Sequence, residues 1–440
     1  MLNYLTIQNF KSILDLKVDL RFGEGKAPNG WRDYEMMPFI ENPCGRQDRY
    51  VPVLSIYGAN ASGKTNILAA IQCFRNVIRE GIEGNFKPNR INPKYPTTRF
   101  EAAIETAEAM LIYELEYDRS SVRVERLTCV EGPNQRKTVF ATLDGVLDVG
   151  ELSSVAYGEN RLSEIYKVEC MDGKARQYKT FLGCLARNYA GLSDKVVAVA
   201  DTLLDRIAVH LHNDPPLSYA IEKLAESRDL TDTGRAFEKI VRVLRKFDFS
   251  LREIKMEREV IPRSDVHKKI ERLSRSDYIL SREYDGAFFF DKVTTYHNRV
   301  DGGLEAFDFM TEESEGTKVA AGLVGVCLWA IERGAVVFFD ELDRSLHPIV
   351  LLELVRMFKR KSSNPHGAQL VFTLHDTTIL EDPTTRVSEV AIVNNNMHTG
   401  TTMTRLSELD KEDGRGVRNI HNFRKQYMEG LLSGVPHPLQ

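Results

Sequence analysis

VPVLSIYGANASGKT, Val51–Thr65, sets an uninterrupted apolar run against a glycine-framed loop that ends in lysine and threonine. Its last eight residues, Gly58–Thr65, fit G-x-x-x-x-G-K-[ST]. That spacing has a mechanical reason. Glycines let backbone N–H groups close around phosphate oxygens, and a helix that starts at the loop adds its positive N-terminus. A strand must precede such a loop and a helix must follow it. VPVLSIY reads as the strand. NILAAIQCFRNVI, 66–78, reads as the helix, with Ile67, Ala70, Ile71, Phe74 and Ile78 on one side. Gly58, Asn60, Ser62, Gly63, Lys64, Thr65 and Asn66 are therefore candidate nucleotide contacts. Lys64 is expected at the β and γ phosphates, and the Thr65 hydroxyl on Mg²⁺.

A phosphate loop needs a carboxylate for its metal. AVVFFDE provides one, because Val336–Phe339 reads as a buried strand with Asp340 at its C-terminal tip. Ligands of open α/β sheets lie at that edge. Asp340 is the expected Mg²⁺-side acid, directly or through water. On a straight strand Glu341 faces the other way, so a turn must bring it back before it can accept a proton from attacking water. SEGTK, 314–318, opens the helix before this strand, and Ser314 with Gly316 could hold phosphate there. Taken alone, Ser314 reads equally as a helix cap. His375 follows the strand QLVFTL and reads equally as a cap or as a γ-phosphate sensor.

Outward from these motifs, 440 residues with 42% hydrophobic and 28% charged composition describe a folded chain of two or three domains, or one domain with a large insertion. A net charge of -4 argues against wrapping nucleic acid by bulk charge, leaving only a local basic patch. No run of about 20 apolar residues predicts a membrane span. The opening MLNYLTIQNFKSILDL reads as a strand rather than a leader. Six separated cysteines fit a reduced, cytoplasmic protein, and no cysteine–histidine cluster suggests zinc. Hairpin-like strands are expected up to about 150, in TTRFEAAIET, MLIYELEYD, VRVERLTCV and RKTVFATLD. Residues 180–248 read as helical, including DKVVAVADTLLDRIAVHL and GRAFEKIVRVLRKFD. The charge-rich stretch 242–282 reads as an exposed arm or lid, GAFFFDKVTTYH as a strand, and SEVAIVNNN with TTMTRLSEL as a closing pair.

The order of phosphate loop, SEGTK, acidic strand, SLHP (Ser345–Pro348) and His375 resembles the ATP-binding cassette ATPases, in the branch that includes SMC, RecF and RecN proteins. The resemblance implies an α/β phosphate-loop ATPase head with an inserted helical arm or lid. Its lobes would be 1–150 and 286–440, with a mainly helical insertion at 151–285. SEGTK takes the place of the signature, with Glu315 where glycine is common, and SLHP that of the D-loop. Glu341, His375 and Lys64 become the catalytic set, Thr65 and Asp340 the metal set, and Ser314 and Gly316 join the ATP contacts. Two ATP molecules would be sandwiched between two copies, in a homodimer or a larger assembly. DELDRSLHP, FTLHDTTIL and the tail NFRKQYMEGLLSGVP, with Tyr427, Gly430, Gly434 and Pro436, are further similar to the ATPases of bacterial anti-phage abortive-infection systems. These are the AbiL/RloA group, with the PARIS and Septu ATPases close by. That likeness implies a phage-derived trigger and a separately encoded toxic effector, a TOPRIM or HNH nuclease. The alternative is a repair ATPase similar to RecF, with DNA as its partner.

Overall fold

The computed structural model describes residues 1–22, 35–37, 39–132, 135–154, 158–173, 176–188, 193–211, 220, 230–247, 251–262, 264, 280–284, 287–344, 346–408 and 423–428. The alternating opening sequence forms an antiparallel hairpin, β1 (Leu2–Phe10) with β2 (Ile13–Asp19). Within β2, Leu16 and Val18 are buried while Asp15 and Lys17 face water, the half-buried alternation of a one-sided sheet. A short ribbon, β3 (Ile40–Glu41) and β4 (Arg49–Tyr50), follows. It leads to β5 (Val53–Tyr57), whose five residues are all buried, and to α1 (Lys64–Glu80). The expected apolar face of α1 is the buried one, with Leu68, Cys73 and Val77 added to it.

Four antiparallel strands follow in sequence, β6 (Thr98–Glu105), β7 (Met110–Tyr117), β8 (Val122–Gly132) and β9 (Gln135–Leu143), with β10 (Val146–Asp148) at the edge. Helices α2 (Gly158–Ile165), α3 (Phe181–Asn188) and α4 (Asp194–Ala200) then lead to β11 (Ile207–His210). Next come α5 (Leu230–Leu244), β12 (Leu251–Pro262), β13 (Leu280–Tyr284), β14 (Ala287–Asn298), β15 (Leu304–Asp308) and α6 (Glu315–Arg333). The chain closes through β16 (Val336–Phe339), α7 (Pro348–Lys359), β17 (Gln369–Thr373), β18 (Val390–Asn396), β19 (Gly400–Arg405) and α8 (Phe423–Met428).

Thirteen strands make one mixed sheet, ordered β10-β9-β8-β7-β6-β1-β2-β19-β18-β5-β17-β16-β11. The last five, from β18 to β11, run parallel; the others pair antiparallel. Apolar residues on both faces let the parallel strands be covered on both sides. The chain divides into two compact units. The first is Met1–His212, Gly334–Leu342 and Val355–Gln440, built on this sheet. The second is Asn213–Arg333 and Asp343–Leu354, where β12, β14 and β13 pair antiparallel, β15 adds to β14, and α5 packs on β12 and α6.

One expectation is corrected. IAVH, read as the end of a helix, is β11, paired residue for residue with β16 from Ile207–Val336 to His210–Phe339. A short apolar run buried on both sides has the same composition in a helix and in a parallel strand, so periodicity cannot separate them. Among the described residues, 151–285 holds β11, β12 and β13 beside its helices, and the compact second unit runs on to Arg333. Alternating charge and apolar residues in LREIKMEREVIP mark an exposed antiparallel strand, which reads at first sight like a solvated arm. Most of the expected arm beyond 262 lies outside the described residues.

Glu125 is the hub of the first unit's far end. Its fully buried carboxylate accepts from Tyr113 Oη (2.9 Å), Gln177 Nε2 (2.8 Å) and the first two N–H groups of α3, Phe181 (2.7 Å) and Leu182 (2.8 Å). Burial pushes its pKa up and these four donors oppose the rise. Glu125→Ala strands four buried donors, so it should destabilise the chain by about 3 kcal/mol or more. A fall in the urea midpoint of the full chain checks this, and an unchanged midpoint would overturn it.

Candidate phosphate loop and acidic strand

The parallel strands deliver their C-terminal ends to one edge of the sheet: Tyr57 leads into the loop, Phe339 into Asp340, and Thr373 into Leu374 and His375. The loop's shape depends on two glycines. At Gly58 an added Cβ would stand 2.5 Å from Val393 O, and at Gly63, with φ +104°, 2.2 Å from Thr401 Oγ1. Neither position has room for a side chain. Ala61 takes the left-handed conformation as well, with φ 63°. The Ser62 hydroxyl is buried and has no hydrogen-bond partner among the described residues. A buried donor inside a glycine loop fits an incoming anion. Asn60 is exposed at the loop's outer side. Lys64 is buried, and its Nζ donates to Gly58 O at 2.6 Å and Ala59 O at 3.2 Å, curled into its own loop.

The Thr65 hydroxyl donates to Asp340 Oδ2 at 2.8 Å, joining residues 275 positions apart. Asp340 is buried, and its other oxygen accepts from Thr373 Oγ1 at 2.7 Å. The same Thr373 oxygen accepts the N–H of Glu341, also at 2.7 Å. One threonine therefore orders both acids. The turn that returns Glu341 is explicit in its φ of 50°, a left-handed conformation costing about 1 kcal/mol or more in a non-glycine residue. Glu341 Oε1 lies 3.7 Å from His375 Nε2, with both side chains partly exposed. Among the described residues no group of three or more His, Cys, Asp or Glu comes together as a metal cage. The Thr65 hydroxyl and the Asp340 carboxylate are hard oxygen donors of the kind that could hold a cation such as Mg²⁺.

Three residues that the sequence did not single out support the loop. Asn66 Nδ2 donates to Ser12 Oγ at 2.7 Å. Ser12 Oγ meets Thr401 Oγ1 at 2.7 Å, and Thr401 Oγ1 reaches Ser62 O at 3.3 Å. Thr373 is the third. Polar residues at strand ends carry no pattern of their own, so only the pairing reveals them. Tyr427 of α8 stands edge-on to Tyr57, with ring centroids 5.7 Å apart, and the Gly58 backbone hydrogen-bonds its hydroxyl. Gly430, Gly434 and Pro436 of the tail lie outside the described residues, as does Ser345 of SLHP.

Ser314 and Gly316 belong to the second unit. Ser314 Oγ accepts the Thr317 N–H at 3.1 Å, which caps α6, and Gly316 lies in that helix's first turn. His347 holds the start of α7, since its carbonyl accepts the N–H of Val350 (2.9 Å) and Leu351 (3.1 Å).

A family model described as "AAA domain, putative AbiEii toxin, Type IV TA system" matches residues 195–381. The match takes in Ser314, Gly316, Asp340, Glu341 and His375, and leaves out the loop at 58–66. Over 195–381, less than half of the chain, the sequence is similar to that AAA-domain family, whose description is tied to toxin–antitoxin systems. Two similar solved structures are the SMC head domain from Thermotoga maritima and the Smc head domain with a coiled coil and joint derived from Pyrococcus yayanosii. The first has 12% identity, covers 92% of this chain and 98% of that one, and gives a TM-score of 0.40. The second has 8% identity, covers 92% and 96%, and gives 0.37. No curated protein matches the sequence. No helix among the described residues is long and apolar enough to cross a membrane.

His210 ends β11 beside the acidic strand, where its carbonyl accepts the Asp340 N–H at 2.9 Å and its ring stacks on Phe339. Burial, and then the nearby Arg75 charge, hold its imidazole down from 6.5 to about 4. Between those values the unfolded chain binds a proton that the folded chain does not, so stability is full above 6.5 and falls as pH drops towards 4. The loss can reach about 3 kcal/mol. His210→Gln should flatten this part of the acid limb when urea midpoints are compared at pH 7 and pH 4.5. Parallel curves for the two proteins would refute it.

Proposed function

We propose that this chain is an ATP-binding and ATP-hydrolysing subunit of a two-component anti-phage system, regulating a separately encoded toxic effector. The Thr65–Asp340 hydrogen bond carries the reading, because it joins the loop hydroxyl to the strand-end carboxylate as a phosphate-loop ATPase requires. Thr65 and Asp340 would hold Mg²⁺, which supplies charge neutralisation at the β and γ phosphates. Lys64 Nζ would exchange the carbonyls of Gly58 and Ala59 for phosphate oxygens. Gly58, Ser62 and Gly63 would line the phosphates, with Asn60 and Asn66 at the loop's two ends. Glu341 would take the proton of the attacking water, and His375 would sit beside the γ-phosphate.

Ser314 and Gly316 would reach the ATP of a second copy, making hydrolysis conditional on pairing. The family description supports a paired toxic protein, and a nuclease is the class we favour. The trigger would come from the phage. Six cysteines, all free, fit a reducing cytoplasm.

One observation favours DNA as a further partner. In the second unit a groove of about 740 Å³ is lined by Arg242, Arg245, Lys246, Arg252 and Lys255, against Glu238, Glu253 and Glu257. This local excess of positive charge could track a phosphate backbone in a chain that is acidic overall.

Glu341→Gln should keep ATP affinity within about twofold while turnover falls about 10²-fold or more. Lys64→Ala should instead weaken ATP binding itself. Full-strength binding in Lys64→Ala, or unimpaired turnover in Glu341→Gln, would overturn the assignment. The native mass of the Glu341→Gln chain, purified with the products of its neighbouring genes, tests the effector reading. A second protein in fixed ratio supports it, and a lone dimer that captures DNA on adding ATP opposes it. Reversing Arg242 and Arg245 to Glu should lower both DNA affinity and its salt slope. Unchanged binding would dismiss the groove.

A further inference from the structure

The residue before Ser314 is a carboxylate with no place in the phosphate chemistry above. Glu313 has a side chain only 8% exposed. Thr295 Oγ1 donates to its Oε1 at 2.5 Å, and His297 Nε2 lies 2.6 Å from the same oxygen. Both partners are on β14, two positions apart and so on one face of the strand. They are themselves fixed. Thr295 is fully buried, and the His297 ring packs edge-on against Phe307 of β15 at 5.1 Å.

Helix entry explains why this position matters. With Ser314 capping the Thr317 N–H, Ser314 is the N-cap of α6 and Glu313 is the residue before it. That residue commonly carries an apolar side chain, which staples the incoming chain to the first helical turn and sets the entry angle. Here a buried carboxylate takes the place, stapled to a β-strand instead of to its own helix. The preceding turn is tied as well, since Asp308 Oδ1 accepts the N–H groups of Met310 (3.0 Å) and Thr311 (2.9 Å), and Lys318 Nζ reaches back to Met310 O at 2.6 Å. The direction of the Ser314 hydroxyl and of the first α6 N–H groups is thus set from β14.

We infer that Glu313 is a positioning residue for the Ser314 half-site, held by Thr295 and His297 of β14. This rests on the reading of Ser314 and Gly316 as contacts to the ATP of a second copy. The small sheet then has a direct hold on that contact. A shift of β14 by a fraction of an ångström would move Ser314 with it.

The test uses the full chain and three measurements: ATP turnover, affinity for ATP, and the urea midpoint. Glu313→Ala and His297→Ala should each lower turnover about tenfold, while ATP affinity at the phosphate loop stays within about twofold. The double variant should be no slower than either single one, because both remove one clasp. Glu313→Gln keeps an accepting oxygen and should recover most of the rate. If Glu313→Ala does not fold, Glu313→Gln and His297→Ala carry the comparison, and a turnover equal to the parent in both overturns the inference. Ser314→Ala separates the two levels. If it slows turnover and the Glu313 and His297 variants do not, the clasp has no positioning role and the half-site reading stands. If Ser314→Ala is silent, the half-site reading fails and the inference with it. Equal losses in affinity, turnover and midpoint would mean that Glu313 only supports the fold.

Discussion

The fold of the first unit converges on Asp340. Its two carboxylate oxygens are claimed from opposite directions, one by Thr65 at the start of α1 and the other by Thr373 at the end of β17. These hydrogen bonds fix the relative height of three parallel strands and the helix that leaves the loop. A buried carboxylate stays affordable only when its oxygens are satisfied. Two hydroxyls are well suited to this, because a hydroxyl donates to the acid without adding a charge that a metal would have to displace. The site is therefore coherent as it stands, with the acid aimed and the loop closed around its own lysine.

The left-handed turn at Glu341 belongs to the same arrangement. Strand geometry alone would send consecutive side chains to opposite faces, so Asp340 and Glu341 share an edge only because the chain leaves β16 at once. The Glu341 N–H is then captured by the hydroxyl that orders Asp340. The two acids are thereby given different surroundings, one buried between hydroxyls and the other half-open beside His375. Division of labour between neighbouring carboxylates generally needs such a difference.

Much of this was legible in the sequence, and the reasons can be stated. The strand, loop and helix at 51–80 announce themselves because glycine spacing and apolar periodicity are local signals. Asp340 follows from an apolar run ending in an acid. Ser12, Thr373 and Thr401 did not stand out, because each is an ordinary polar residue whose meaning comes from a partner far along the chain, 389 positions away for Ser12 and Thr401. β11 was hidden for a different reason: IAVH continues the apolar pattern of the helix before it, and only its pairing with β16 decides the matter. The small sheet of the second unit was obscured by charge, since exposed antiparallel strands alternate charge and apolar residues much as a solvated helix does.

The long sheet also has a seam. There β2 and β19 pair antiparallel, in register at Gly400 and Ile13, one strand before the change to parallel pairing at β18, and a Cβ at Gly400 would stand 2.5 Å from Ser12 O. The relay from Asn66 through Ser12 and Thr401 to Ser62 crosses this seam. The loop is thereby tied by hydrogen bonds to both sides of that seam. A displacement of β2 against β19 would therefore be carried to Ser62 and Asn66 through those hydrogen bonds.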